Sequence, residues 1–222
     1  MKIIDQSVKV IYPSTLEQAQ NELRLIEIAG RNCWDSFGKM TDESYKQFIE
    51  NLRKREHESP LEFGHIMFEI VTSRDVMAEI TRHRIGISFA IRSQRYVDES
   101  KTGDIEFIKP LFYKDEPNNP DCAYSDPVFA ASMIWQDQME NIESSYKSMR
   151  AIGIRNEDAR KVLPNSTMTR IMMKVNLREL LHIYKLRSAK AAYPEMQECM
   201  RLLKEEVDKV LPGFLPEKED KE

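Results

Sequence analysis

Residues 65–84 read HIMFEIVTSRDVMAEITRHR, and the period of the apolar positions changes halfway along. The first part, 65–72, is rich in β-branched and aromatic residues and reads as a strand. Ser73 then reads as the N-cap of a helix whose apolar face is Val76, Met77 and Ile80. That helix runs into Arg82-His83-Arg84. Before it, residues 2–11 alternate loosely and read as a first strand, which Pro13 stops. Residues 15–31 carry Leu16, Ala19, Leu23, Ile26 and Ile28 at helical spacing, and 41–55 read as a second helix opened by Thr41. After it, 85–97 reads as a loop with some strand, 104–109 as a short strand and 113–127 as a surface loop with Pro117, Asn118, Asn119 and Pro120. Residues 128–152 read as a long helix and 156–162 as a short one ended by Pro164. Residues 168–175 read as a strand. Asn176 with Glu179 resembles a capping box that starts a helix to about 186. A last helix over 191–210 ends at Pro212-Gly213. Strands and helices mix without regular alternation, so the class is α+β: one domain over 1–216 with a mixed or antiparallel sheet flanked by helices, then a charged, mobile tail over 217–222.

The bulk numbers narrow the function. The 222 residues suit one domain with a real core. A net charge of −4 argues against a nucleic-acid coat or a polybasic membrane binder. The start does not read as a signal peptide, and no apolar run is long enough to span a bilayer. The 3 cysteines, Cys33, Cys122 and Cys199, are scattered, as expected for reduced thiols in the cytoplasm. The 7 glycines form neither G-x-G-x-x-G nor a P-loop, which argues against the common dinucleotide-binding folds. None of the 4 histidines pairs with another at i, i+4, and no cysteine sits at a zinc spacing, so no metal is expected. Met172 and Met173 read as core filler.

Three clusters could carry chemistry. Arg82–Tyr96, RHRIGISFAIRSQRY, crowds Arg82, Arg84 and Arg95 with the hydroxyls of Ser88 and Ser93. Guanidinium forks match phosphate oxygens, so this reads as an anion site. The alternative is a solvated basic face, partly neutralised by Asp75 and Glu79. His57-Glu58-Ser59-Pro60-Leu61-Glu62 is a polar turn before a strand, suited either to a ligand or to capping. In Asn176-x-Arg178-x-x-x-His182-x-x-x-x-Arg187, Arg178 and His182 share a helix face, and Arg187 lies about 14 Å further along the axis. One small ligand could hardly touch both ends. The plainer reading of Arg187 is a helix-end cation. Arg160, alone, reads as a surface salt-bridge partner.

Together these clusters resemble the flavin-dependent thymidylate synthases. That family's signature is Arg-His-Arg, seven variable residues, then Ser-x-Arg-Tyr. It stands here as Arg82-His83-Arg84, eight residues, then Ser93-Gln94-Arg95-Tyr96. The 57–62 turn, Glu157-x-x-Arg160-x-x-Leu163-Pro164 and the 176–187 block match in order and spacing. The resemblance implies a homotetramer of α+β subunits with active sites at subunit junctions. It implies methylation of dUMP to dTMP with methylenetetrahydrofolate as carbon donor, FAD as redox centre and NADPH as reductant. By residue match, Ser59, Arg82, His83, Arg84, Asn176, Arg178 and His182 would hold FAD. Glu79, Arg82, Ser93, Gln94, Arg95, Arg160 and Arg187 would hold dUMP, with Arg187 as the catalytic cation by the uracil. The pattern is departed from at the longer interval, at Ile91, at Arg92, which places an extra charge at the site, at Glu79 and Tyr193, both commonly Gln. Those departures keep open a related enzyme that acts on another pyrimidine nucleotide or leaves a hydroxymethyl group. A non-catalytic nucleotide or nucleic-acid binder using the basic loop is the third reading.

Overall fold

The computed structural model describes residues 1–101, 103–118 and 126–217. The chain divides into two compact units. The first gathers Met1–Gln6, Val71–Glu79 and Ile91–Arg170; the second gathers Ser7–Ile70, Ile80–Ala90 and the chain from Ile171 on.

In the first unit, β1 (Lys2–Ile4) pairs in parallel with β5 (Glu106–Ile108), with Ile3 opposite Phe107. The long helix α4 (Pro127–Ala151) starts with Pro127 in its first turn and Asp126 as N-cap, whose carboxylate accepts the N–H groups of Val128 and Phe129. Ile105, Phe107, Met139, Tyr146 and Ala159 form its core, flanked by Trp135 and Met149. Glu143 of α4 accepts the Ile105 N–H at 2.8 Å and pairs with the Met1 ammonium, which anchors the start of the chain. The short helix α5 (Asn156–Ala159) runs into a 3-10 turn, Arg160–Val162.

The four-stranded sheet has the order β2-β3-β6-β4, and most of its residues belong to the second unit. Its strands are β2 (Ser7–Tyr12), β3 (His65–Ser73), β6 (Met168–Asn176) and β4 (Ile87–Ile91). The two central strands are the longest and alternate through their middles: Ile66, Phe68 and Ile70 in β3, and Ile171, Met173 and Val175 in β6, are fully buried. Each such side chain contributes about 1.5–3 kcal/mol by leaving water. Helix α1 (Leu16–Cys33) is capped by Thr15 and helix α2 (Ser44–Lys54) packs on it. Helix α6 (Leu177–Arg187) follows β6 without a loop. Helix α7 (Pro194–Val210) buries Met196, Cys199, Met200, Leu203 and Val207, the i, i+3, i+4 stripe of an amphipathic helix, and packs on β2 and α6. No helix among the described residues is long and apolar enough to cross a membrane.

Several boundaries differ from the sequence reading. Residues 2–11 are two strands, not one. Loose alternation continues through Asp5-Gln6, but the partner changes there: β1 goes to β5, and β2 goes to the edge of the other sheet. Ser73 ends β3, and α3 (Arg74–Ile80) starts directly after it. The last helix starts at Pro194, because Pro is favoured in a first turn and Ala189–Ala192 is already closed as a turn. Asn119, Pro120, Cys122 and 218–222 of the charged tail lie outside the described residues. Glu217 pairs with Lys204 of α7 at 2.9 Å.

Candidate active site

Three segments of the second unit converge on α6. The first is the 57–62 turn, a 3-10 turn over Ser59–Phe63 with Pro60 and Leu61 buried beneath it and Ser59 exposed. It is fixed at both ends. Gly64 C=O accepts the Leu177 N–H at 2.9 Å, and a Cβ on Gly64 would meet Ile26 Cδ1 at 2.7 Å, so a side chain there would force the buried Ile26 to shift. Glu22 accepts the His65 N–H at 2.8 Å and the Tyr12 hydroxyl at 2.7 Å. Glu62 then takes Arg178 Nη1 at 2.6 Å, and Glu58 lies 3.6 Å from Arg178 Nε. Two clusters that are separate in the sequence are one ion-paired structure.

The second segment is the loop after α3. His83 N–H donates to Ile80 C=O, which ends the helix and turns the imidazole inward while Arg82 and Arg84 stay exposed. Gly86, at φ +66°, accepts the Asn176 N–H at 2.8 Å, and a Cβ there would sit 2.1 Å from Asn176 Nδ2. The third segment is the start of α6. Asn176 is its N-cap, accepting the Glu179 N–H at 2.8 Å. The expected capping box is only half made, because the Glu179 carboxylate does not return to the cap. It faces His83 Nδ1 at 3.0 Å.

His83 is therefore the centre of the cluster. Arg187 Nε donates to its Nε2 at 3.2 Å, and the His182 ring stands edge-on at 5.8 Å between centroids. Burial, chiefly, holds the imidazole below its ordinary pKa; Arg187 and His182 push the same way, and Glu179 opposes them. Arg82 and Arg84, either side of it, carry no ion pair among the described residues. Two unneutralised guanidinium forks flanking a buried neutral ring fit the phosphates and polar ring edge of an anionic dinucleotide.

The structure adds a grouping that histidine spacing does not reveal. Tertiary structure brings His83, Glu179 and His182 together, each offering one ligand atom, all within 4.8 Å. Spacing along one helix could not reveal this, since His83 comes from another segment. For a metal, His83 would have to give up a hydrogen bond at one of its two nitrogens, and the Arg187 cation beside it opposes a second positive charge.

The remaining candidates fall in the first unit. Glu79 and Ser93 are half-buried, and Ser93 Oγ accepts the Arg95 N–H at 3.2 Å. Gln94 is buried, and its Nε2 has no hydrogen-bond partner among the described residues. An orphaned buried donor costs about 1–3 kcal/mol, which a bound acceptor would recover. Arg95 is exposed and rests on Glu157 at 3.0 Å and over the Tyr96 ring. Arg160 is exposed near Arg74, whose pKa is lowered by burial first and then by that neighbouring cation. The sequence reading gave Arg92 to the site as an extra charge. Instead Arg92 forks onto buried Glu99 at 2.6 and 2.8 Å, and its charge is neutralised inside the fold.

Residues 15–213 match the family described as thymidylate synthase complementing protein. The chain belongs to this family. Among its relatives, the flavin-dependent thymidylate synthase of Haloarcula marismortui is 31% identical over 173 residues, covering 72% of this chain and 70% of that one. The flavin-dependent thymidylate synthase of Thermococcus kodakarensis is 32% identical over 178 residues, covering 79% and 67%. Thymidylate synthase X from Helicobacter pylori, solved with FAD and dUMP, is 25% identical with a TM-score of 0.67, covering 95% of this chain and 98% of that one. A UMP/dUMP methylase from Streptomyces cacaoi, solved with 5-Br dUMP, shares the fold at a TM-score of 0.74 with 20% identity, covering 96% and 95%. Within the thymidylate synthase complementing family, the sequence reading missed Gly86 and the Glu179 side chain. Gly86 was one of several scattered glycines, and only its closeness to the Arg-His-Arg triplet marked it. Glu179 passed as a capping residue.

Proposed function

We propose that this chain converts dUMP to dTMP, taking the carbon from methylenetetrahydrofolate, with FAD as redox cofactor and NADPH as reductant, as a cytoplasmic homotetramer with active sites at subunit junctions. The observation that carries the reading is buried His83 holding Arg187 between two arginines, Arg82 and Arg84, that carry no ion pair among the described residues. FAD, when bound, supplies the redox chemistry. Arg82, Arg84 and His83, with Ser59, Asn176, Arg178 and His182, bind and orient it. Ser93, Gln94, Arg95, Arg160 and Arg82 hold the nucleotide, with Gln94 Nε2 donating to one of its acceptors and Glu79 nearby. Arg187 places a fixed cation beside the uracil, favours loss of the N3 proton and raises nucleophilicity at C5. This role needs no thiol nucleophile, and neither described cysteine offers one: Cys199 is fully buried, its pKa pushed up to about 12, and Cys33 has no basic partner among the described residues.

The test is direct. Purified protein is expected to be yellow with flavin absorbance and to add the mass of a methyl group to dUMP. UMP and dCMP are run in parallel with product mass read out. A colourless protein, or a dUMP product without the methyl mass, overturns the reading. The alternative of another pyrimidine nucleotide drew on Glu79, Ile91 and Arg92. Its third ground falls with the Arg92–Glu99 pair.

A further inference from the structure

Glu179 does two separate things. Its backbone N–H is held by Asn176, so the start of α6 does not depend on its side chain. Its carboxylate faces His83 Nδ1, while Nε2 on the other side of the ring accepts Arg187 Nε–H. A guanidinium is always protonated and has no acceptor capacity, so Nε2 must present its lone pair. The proton that a carboxylate needs from the ring then sits on Nδ1. The imidazole is neutral and held in one tautomer. Its side chain is only 7% exposed and that of Glu179 14% exposed, so water competes weakly for either bond.

Arg187 lies eight residues beyond Glu179, about 12 Å along the helix axis. Its long side chain leans back toward the N-terminus, as helical side chains do, and the ring closes the remaining gap. The bond is made by Nε, the inner nitrogen, so it fixes the plane of the guanidinium as well as its position. Without the carboxylate the ring can carry its proton on Nε2, setting donor against donor.

We propose that Glu179 is a positioning residue, locking His83 as the Nδ1–H tautomer so that Nε2 holds the Arg187 guanidinium in one orientation. The proposal rests on the role of Arg187 given above. Misplacing a group by about 1 Å costs about 10²-fold in rate. Glu179→Ala is therefore expected to lower kcat by about 10²-fold while flavin content and KM for dUMP stay within error of wild type. Glu179→Gln, whose amide oxygen still accepts from Nδ1, is expected to recover to within about tenfold of wild type. Long-range nitrogen–proton spectra of histidine-labelled holoenzyme, assigned with a His83→Gln sample, should show His83 as Nδ1–H in wild type and a mixture in Glu179→Ala. An Nε2–H ring in wild type, an unchanged kcat in Glu179→Ala, or flavin lost from both variants overturns the proposal. The spectrum does not require turnover, so a correct tautomer in a protein inactive on dUMP would fault the proposed function and not this relay.

Discussion

Arg92 and Arg150 of the first unit and the three arginines around His83 in the second are kept in opposite ways. In the first unit Arg92 forks onto Glu99 and Arg150 onto Asp98. Asp98 answers with a pKa far below the usual carboxylate range, chiefly through its bond to Arg150. In the second unit Arg82 and Arg84 stand exposed with no ion pair among the described residues, and Arg187 Nε donates to a neutral ring. The difference separates two uses of one residue type. A guanidinium matched to a buried carboxylate holds the fold. One left unmatched keeps its charge for a ligand. Pairing also occurs in the second unit, where Glu62 and Glu58 use Arg178 to tie the 57–62 turn to α6 and Arg31 and Arg201 pair with Glu27 and Glu198.

The contrast can be broken most forcefully at Arg187. Arg187→Ala is expected to lower dTMP formation by about 10³-fold, the upper range for losing a preorganised cation or donor, with flavin absorbance kept. Loss of flavin would assign Arg187 to the cofactor and erase its distinct role. Glu99→Ala comes next. Stripping one partner from a buried pair destabilises by about 3–5 kcal/mol, readable as a lower urea midpoint. Arg84→Ala in flavin-free protein should leave that midpoint within error; equal losses would show that Arg84 is structural too. Gly86→Ala should cost about 2 kcal/mol, summing left-handed backbone strain and a disturbed Asn176 cap. An unchanged midpoint would mean the loop tolerates a side chain that the geometry forbids. The smallest effect has opposite signs in two assays. Gln94→Leu removes an orphaned donor, so stability should hold or rise by about 1 kcal/mol while KM for dUMP increases. A drop in stability with KM unchanged would make Gln94 a core residue and nothing more.

What the sequence made legible was local. The change of period at Ser73, the Asn176 cap and the stripe of the last helix depend on neighbours within a few positions, and each reappears in the structure within a residue or two, except for the delayed start at Pro194. What it hid was the choice of partner. The break at Asp5-Gln6, the joining of Glu62 to Arg178 and the burial of the Arg92 charge are decided by tertiary register, which periodicity does not encode. The same limit hid the meeting of His83 with His182, although both residues were singled out for the site from their motifs alone.

The bond between His83 and Arg187 spans 104 residues of chain. Contacts of such separation form only after the intervening chain has been ordered or looped out. During synthesis, β3 and α3 can take shape long before α6 exists, so the Arg-His-Arg loop waits nearly half the length of the protein for the residues that orient it. A nascent or truncated chain that ends before Asn176 has the arginines of the loop but not Asn176, Arg178 or His182, and capture of cofactor would serve as a report that translation has entered α6.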